Sequence, residues 1–128
     1  MATRVREKAA KREANKETRP FAIARYIRIS PSKIRIVLDN VRGKNAEEAV
    51  AILDNSPQEA ATVSSKLLKS AIANAENNKG LNRSDLFVAE AFVCPGPTMK
   101  RLSPRAKGVS NVILKRSSHI TMILDVRK

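Results

Sequence analysis

Residues 95–111, PGPTMKRLSPRAKGVSN, set the first limit on the fold. The segment holds Lys100, Arg101, Arg105 and Lys107, no acidic residue, three prolines and two glycines. It cannot build a core, yet strand-like sequence flanks it on both sides. Before it, LFVAEAFVC (86–94) is largely apolar. After it, VILKRSSHITMILDV (112–126) alternates: Val112, Leu114, Ile120, Met122, Leu124 and Val126 share one parity, with Lys115, Ser117, His119, Thr121 and Asp125 on the other. Period-two alternation marks a half-buried strand. The simplest connection is an antiparallel hairpin over about 86–126, with 95–111 at its tip.

Length turns that hairpin into a projection. Leu86 to Arg101 spans roughly 53 Å when extended. A body of about 80 residues is about 30 Å across. The hairpin therefore projects about 20 Å past its own body. Pro95, Pro97 and Pro104 cannot donate ladder hydrogen bonds, so pairing in the outer half is expected to be irregular and ordered by outside contacts.

The rest of the chain supplies the body. In FAIARYIRIS (21–30), Ile23, Ile27 and Ile29 share a face opposite Tyr26 and Arg28, which reads as a half-buried strand. Ser30-Pro31 then starts a helix. Ile34, Val37, Leu38 and Val41 follow helical spacing, with Gly43 as the expected stop. Asn45 with Glu48 starts a second helix over Ala49, Ile52 and Leu53. Ser56 with Glu59 reads as a capping box for a third, with Pro57 at its first position. This longest helix carries Ala60, Val63, Leu67 and Ala71 beside Ala61, Leu68, Ile72 and Ala75, and ends around Asn77, Asn78 and Gly80. Residues 1–20 have one apolar side chain on an otherwise polar helical pattern, Val5. They read as a basic arm, disordered without a partner, or else as a solvated tail. The expected domain is 21–128, an α+β unit.

Charge is unevenly spread. The chain of 128 residues has a net charge of +13. Residues 1–20 carry +4, 21–44 carry +5, 45–96 carry −3 and 97–128 carry +7. A polyanion-facing side and a solvent-facing side follow from this pattern. Lys100-Arg101, Arg105-Ala106-Lys107 and Lys115-Arg116 lie along the hairpin. Arg25, Arg28, Lys33 and Arg35 cluster at the first strand–helix junction. Lysine binds phosphate as a point charge and arginine also as a bidentate fork. Aromatic residues make up only 3% of the chain, which argues against base-stacking platforms and for backbone and shape recognition of folded RNA.

Other function classes lack their residues. The one histidine, His119, falls on the polar parity of a strand. Glu47 and Glu48 suit a helix start, and Cys94 sits beside a proline in an apolar strand. No phosphate loop, metal-ligand cluster or nucleophile motif occurs, so the expectation is no enzyme, no cofactor, no metal and no small-molecule substrate. No apolar run approaches the roughly 20 residues of a membrane helix, and no amphipathic basic helix with bulky apolar residues suits a membrane surface. A single cysteine and no secretory pattern suggest a reducing intracellular compartment. A nucleoid-type DNA-binding protein with a flexible β-arm is the alternative of a different class.

Five stretches also resemble a known family: RYIRISPSKIRIVLDNVRGK (25–44), SAIANAENN (70–78), GPTMKR (96–101), PRAKG (104–108) and LKRSSHIT (114–121). In order and spacing they are similar to the bacterial large-subunit ribosomal protein twenty-two family, from about residue 22 to 126. The resemblance implies a three-stranded antiparallel sheet packed with three helices, plus one greatly extended β-hairpin. It also implies a cytoplasmic ribosomal location, with the body outside the large subunit near the polypeptide exit. The hairpin would thread through large-subunit ribosomal RNA and line the nascent-peptide tunnel at its constriction. Neighbouring ribosomal proteins and the nascent polypeptide are then further partners, and subunit assembly a further role. On this chain Met99, Lys100, Arg101, Leu102, Ser103, Pro104 and Arg105 fall on the tunnel-lining tip, whose motif continues through Lys107 and Gly108. Ser32, Lys33 and Arg35 match the first-helix motif; Lys115, Arg116, Ser118 and His119 match the returning strand. Val109 and Val112 stand where the family often has basic residues, Ser117 replaces a frequent threonine, and residues 1–20 exceed its short form.

Overall fold

The computed structural model describes residues 2–127. Its order is α1 (Ala2–Ala14), β1 (Phe21–Ile27), α2 (Pro31–Asp39), α3 (Ala46–Asn55), α4 (Glu59–Lys79), β2 (Leu86–Pro95), β3 (Met99–Pro104), β4 (Ser110–Lys115) and β5 (Ser118–Val126). The strands form two sheets, β1-β5-β2 and the separate pair β3-β4, and every pairing is antiparallel. The α+β expectation holds: α2, α3 and α4 cover the three-stranded sheet, and the β3-β4 ribbon extends from it.

The core is aliphatic. Helix α4 packs on β1, β5, α2 and α3, while α2 and α3 also reach β2. The expected α4 stripe is buried, apart from half-buried Val63, and Ser64 and Ser65 join it. Alanines 60, 61, 71 and 75 let this helix lie close to Leu38, Leu53, Ile120, Met122 and Leu124. Gly80, at φ 63°, closes α4, with Gly80 N–H donating to Glu76 and Leu81 N–H to Ala75.

Helix boundaries differ from the sequence reading where side chains find other partners. Helix α2 starts at Pro31 as expected but ends at Asp39, four residues before Gly43. Gly43, at φ 79°, instead turns the chain onto β2, its N–H donating to the Val88 carbonyl at 2.8 Å. The Ser56–Glu59 capping box does not form. Helix α4 begins at Glu59, so Pro57 lies outside it, and the Ser56 hydroxyl donates back to Ile52 O at the end of α3. Asn45 caps α3 by position only, because its side-chain oxygen accepts from Arg127 and Glu48 pairs with Lys44.

The largest correction concerns β1. Period-two reading put Ile23 inside, but Ala22 is buried and Ile23 is 42% exposed. Ala24 opposes Ile120 and Ile27 opposes Ser118, so the β1 side holds one extra residue. Tyr26, at φ 57°, occupies this bulge. The extra residue resets the parity, which turns Ile27 and Ile29 inward as expected while Ala22 and Ala24 serve the first half.

The hairpin is jointed, and its outer half, where irregular pairing is expected, instead carries a regular ladder of its own. β2 pairs β5 from Leu86↔Val126 to Pro95↔Ser118, and a second ladder starts at Met99↔Lys115. Four steps on the outgoing side match three on the return. Gly96 and Ser117 knit the gap: Gly96 N–H donates to Ser117 O at 2.8 Å, and the Ser117 hydroxyl donates to Pro97 O at 2.6 Å. Ser117, expected on the solvent parity, is therefore buried. Val112 and Leu114 share parity with the core residues of β5 but lie beyond the joint and are exposed.

Residues 2–14, read as an arm lacking structure, form α1. Its alanines and long charged side chains favour helix, and residues 3–14 are all exposed, so no core holds it.

Two outcomes test this packing. Leu68 is fully buried, so Leu68→Ala should cost about 2–5 kcal/mol in urea unfolding, with the m-value unchanged. A Cβ on Gly96 would lie 2.6 Å from Ser117 Oγ. Gly96→Ala should therefore cost about 1–3 kcal/mol, and clearly less in a Ser117→Ala background. Equal costs in both backgrounds would show that the joint is not built on that contact.

Candidate nucleic-acid interface

The expected site residues fall into three groups along one direction: the root of the hairpin, its ribbon and its far turn. At the root, the β1 bulge sets Arg25 and Tyr26 outward, and Arg28 is exposed just beyond it. Tyr26 N–H donates to His119 Nδ1 at 3.0 Å, and the two rings meet edge to face with centroids 4.8 Å apart. His119 was read as a surface residue. It is half-buried, and the bulge occupies one of its ring nitrogens.

Ser118 needs a correction. It is fully buried, and its hydroxyl donates to Ile29 O across the bulge. In this fold it offers no atom to a phosphate and instead fixes the root. Ser32, Lys33 and Arg35 lie exposed on the outside of α2, whose other face buries Ile34, Val37 and Leu38. Ile36, 61% exposed, interrupts this polar face.

On the ribbon, directly paired residues share a face. Met99 and Lys115, then Arg101 and Ile113, occupy one side. Lys100 and Leu114, then Leu102 and Val112, occupy the other. Each face therefore mixes cations with aliphatic side chains. Both strands are exposed along their length except for half-buried Ser103. Arg101 donates to Lys100 O at 3.0 Å, which leaves most of its guanidinium free.

The far turn is built by backbone. Lys107 and Gly108, at φ 58° and 70°, are consecutive left-handed residues in a tight turn over Ala106–Gly108. Glycine accepts this at no cost, while lysine pays about 1 kcal/mol. Arg105 N–H donates to Val109 O at 2.8 Å, closing the loop. Val109 is thus the closing residue, and its extended backbone (φ −84°) suits a β-branched side chain. Arg105 and Lys107 project from this turn into solvent.

Ion pairing separates this surface from the body. Glu17, Asp39, Glu47, Glu48, Asp54 and Glu90 pair with Arg19, Arg42, Arg83, Lys44, Lys69 and again Arg19. Hydrogen bonds from Ser65 and Lys69 hold the Asp54 carboxyl below its usual range. By contrast Arg25, Arg28, Lys33, Arg35, Lys100, Arg101, Arg105, Lys107, Lys115 and Arg116 pair with no carboxylate among the described residues. Ten cations are thus presented without internal neutralisation on the root, ribbon and turn.

The sequence reading missed the groups that aim this surface. Gly96 and Ser117 form the joint, and Tyr26 holds the bulge. A glycine between Pro95 and Pro97 was the available signal for the joint. The bulge left no local mark, since nothing in ARYIR announces a left-handed tyrosine.

Comparison with known proteins by sequence identifies a family. The sequence model of the family described as Ribosomal protein L22p/L17e matches residues 22–125. The large ribosomal subunit protein uL22 of Clostridium kluyveri (strain NBRC 12016) is 57% identical over 107 residues, covering 84% of this chain and 96% of that protein. Its counterpart in Thermoanaerobacter pseudethanolicus is 55% identical over 107 residues, with the same coverage. That of Acetivibrio thermocellus is 57% identical over 106 residues, covering 83% of this chain and 85% of the relative. With one family spanning the sheet, the three covering helices and the whole jointed hairpin, the chain belongs to the ribosomal protein L22p/L17e family.

Proposed function

We propose that the chain binds folded large-subunit ribosomal RNA along the hairpin and its root, and that the far turn lines the path of the nascent polypeptide. The family assigns the coarser role: the chain is a structural constituent of the large ribosomal subunit and not an enzyme. Its place is the cytoplasmic ribosome, where its partners are ribosomal. The nucleoid alternative finds no support in the comparisons.

One observation carries the RNA reading. Ten cations without carboxylate partners among the described residues lie on root, ribbon and turn, while all six ion pairs lie outside that surface. Folding brings RNA phosphates close together, and unpaired lysines and arginines offset that repulsion by releasing counterions. The ribbon, whose two strands pair only with each other, is narrow enough to pass between RNA segments. Its aliphatic side chains, Leu102 the most exposed at 74%, fit sugar and base surfaces or a passing peptide. Met99 to Arg105 form the outgoing side of the far turn, where contact with a nascent chain falls. No small-molecule substrate enters this account.

Salt dependence tests the first part. With 6–10 phosphates neutralised, affinity for large-subunit RNA should fall about 10³–10⁵-fold between 50 and 200 mM salt. The triple variant Arg101→Gln, Arg105→Gln, Lys107→Gln should lower the log–log slope by about 2–3. A salt-independent affinity would sink the phosphate account. For the second part, deleting Met99–Arg101 should leave the urea midpoint of the body within about 0.5 kcal/mol equivalents, because β3 pairs only with β4. Subunits should still assemble, with altered passage of nascent chains. Unfolding of the body would place the segment in the core instead.

A further inference from the structure

Residues 2–20 lie outside the family match, which begins at residue 22. Within them α1 has an ordered charge pattern. Arg4, Lys8, Lys11 and Arg12 stand at i, i+4, i+7 and i+8, within about 100° of arc. Arg4, Lys8 and Arg12 border one shallow hollow, and Arg4, Lys8 and Lys11 border a second. Glu7 lies at the edge of the stripe, whereas Glu13 falls on the far side with Arg6. None of the four cations pairs with a carboxylate among the described residues. The remaining face mixes alanines with Thr3, Arg6 and Glu13, with Val5 as its bulky apolar group, so it fits neither a core nor a membrane surface.

The helix is attached at a fixed point. Leu124 N–H donates to Pro20 O at 2.9 Å, and Phe21 opposes Ile123. Arg19 bridges Glu17 and Glu90 at 2.8 Å each. Hydrogen bonds from the Arg19 side chain, then from its backbone, hold the Glu17 carboxyl at about 2. This depressed pKa keeps the Glu17 carboxylate charged at neutral pH, and it protonates only as pH falls through about 2. α1 thus leaves β1 at the end opposite the hairpin root, where Ile27 opposes Ser118. Seven strand residues, about 20 Å, separate the two points.

We infer that α1 is a second, independent RNA-binding element, which lays its cationic stripe along the phosphate backbone of an RNA segment different from the one the hairpin contacts. The inference rests on the RNA reading above. Its occupant follows from charge complementarity: four unpaired cations spread over about 12 Å of helix meet a line of phosphates. The contact is with backbone and not base edges, because the stripe is a line of cations and the deep, narrow major groove of an RNA helix keeps its base edges out of side-chain reach.

The test uses the full chain and a transcript of large-subunit ribosomal RNA. The variant Arg4→Gln, Lys8→Gln, Lys11→Gln, Arg12→Gln keeps good helix formers at exposed positions, so circular dichroism and melting should match the unaltered chain. Its log–log salt slope should be smaller by about 3, so that raising salt from 50 to 200 mM costs the unaltered chain about 60-fold more affinity than the variant. Combined with the triple hairpin variant, the slope losses should add. An unchanged slope for the helix variant, beside a reduced one for the hairpin variant, overturns this inference alone. Unchanged slopes for both overturn the RNA reading with it. Capture of the unaltered chain, but not the helix variant, by phosphatidylserine vesicles with equal RNA slopes would assign α1 to a membrane surface instead.

Discussion

The backbone ladder along β5 is the interaction on which the rest depends. This strand is hydrogen-bonded on both sides, to β1 and to β2, and its Ile120, Met122 and Leu124 fill the contact with α4. At its far end Leu124 N–H donates to the Pro20 carbonyl just before β1, and its near end faces the bulge and the joint. A central strand with one fully apolar face has its register strongly set, because a one-residue slip would turn that face to solvent. Register shifts at Ala89 within the β2–β5 ladder, at Tyr26 in β1 and across the Gly96 joint, and the last two aim the exposed cations. At Tyr26 the shift turns Arg25 and Arg28 outward. At Gly96 it ends the sheet and lets a ribbon without a core continue.

Electrostatics divides the molecule along the same line. Exposed ion pairs contribute little stability individually. Their consequence here is the location of the charge left over. Asp39, Glu47, Glu48, Asp54 and Glu90 pair with cations outside the hairpin ribbon, and the hairpin contains no acid at all between Glu90 and Asp125. A ribbon with like charges on both faces repels itself in isolation. Its two strands nonetheless stay paired, because six residue pairs and a backbone-closed turn hold the register.

How much of this could be read from the sequence depends on the range of the interactions. Helices α2 and α4 were legible because Ile34, Val37, Leu38 and the alanine-rich stripe of 60–75 repeat at local spacing. The hairpin was legible because apolar alternation resumes after a segment that cannot pack. The failures arose where a distant partner decided the outcome. Ser56 is the local exception: a capping role lay ahead of it, but it donates to Ile52, four residues back. Ser118 appeared in a motif beside exposed cations, yet its hydroxyl is consumed by Ile29, 89 residues away. Ile23 lost its expected place to Ala22 because the space under β1 is set by α4, whose Asn74 side chain also reaches the Phe21 carbonyl.

The joint explains how a marginal element can be carried without weakening its host. A two-stranded hairpin alone is barely stable in water, and this one exposes Leu102, Val112, Ile113 and Leu114. Were it a direct continuation of β2 and β5, fraying at the turn would propagate down an unbroken ladder into the core. Gly96, Pro97 and Ser117 interrupt the ladder just past Pro95↔Ser118, where buried Ser118 ends the body's core face. Fluctuation in the ribbon is then stopped at hydrogen bonds that belong to the body. The same break leaves the ribbon free to settle against a rigid partner at an angle its own sheet does not dictate. A partner that covers its aliphatic side chains and neutralises its cations supplies what the missing core does not, so order in the ribbon and occupation of its binding site are a single equilibrium.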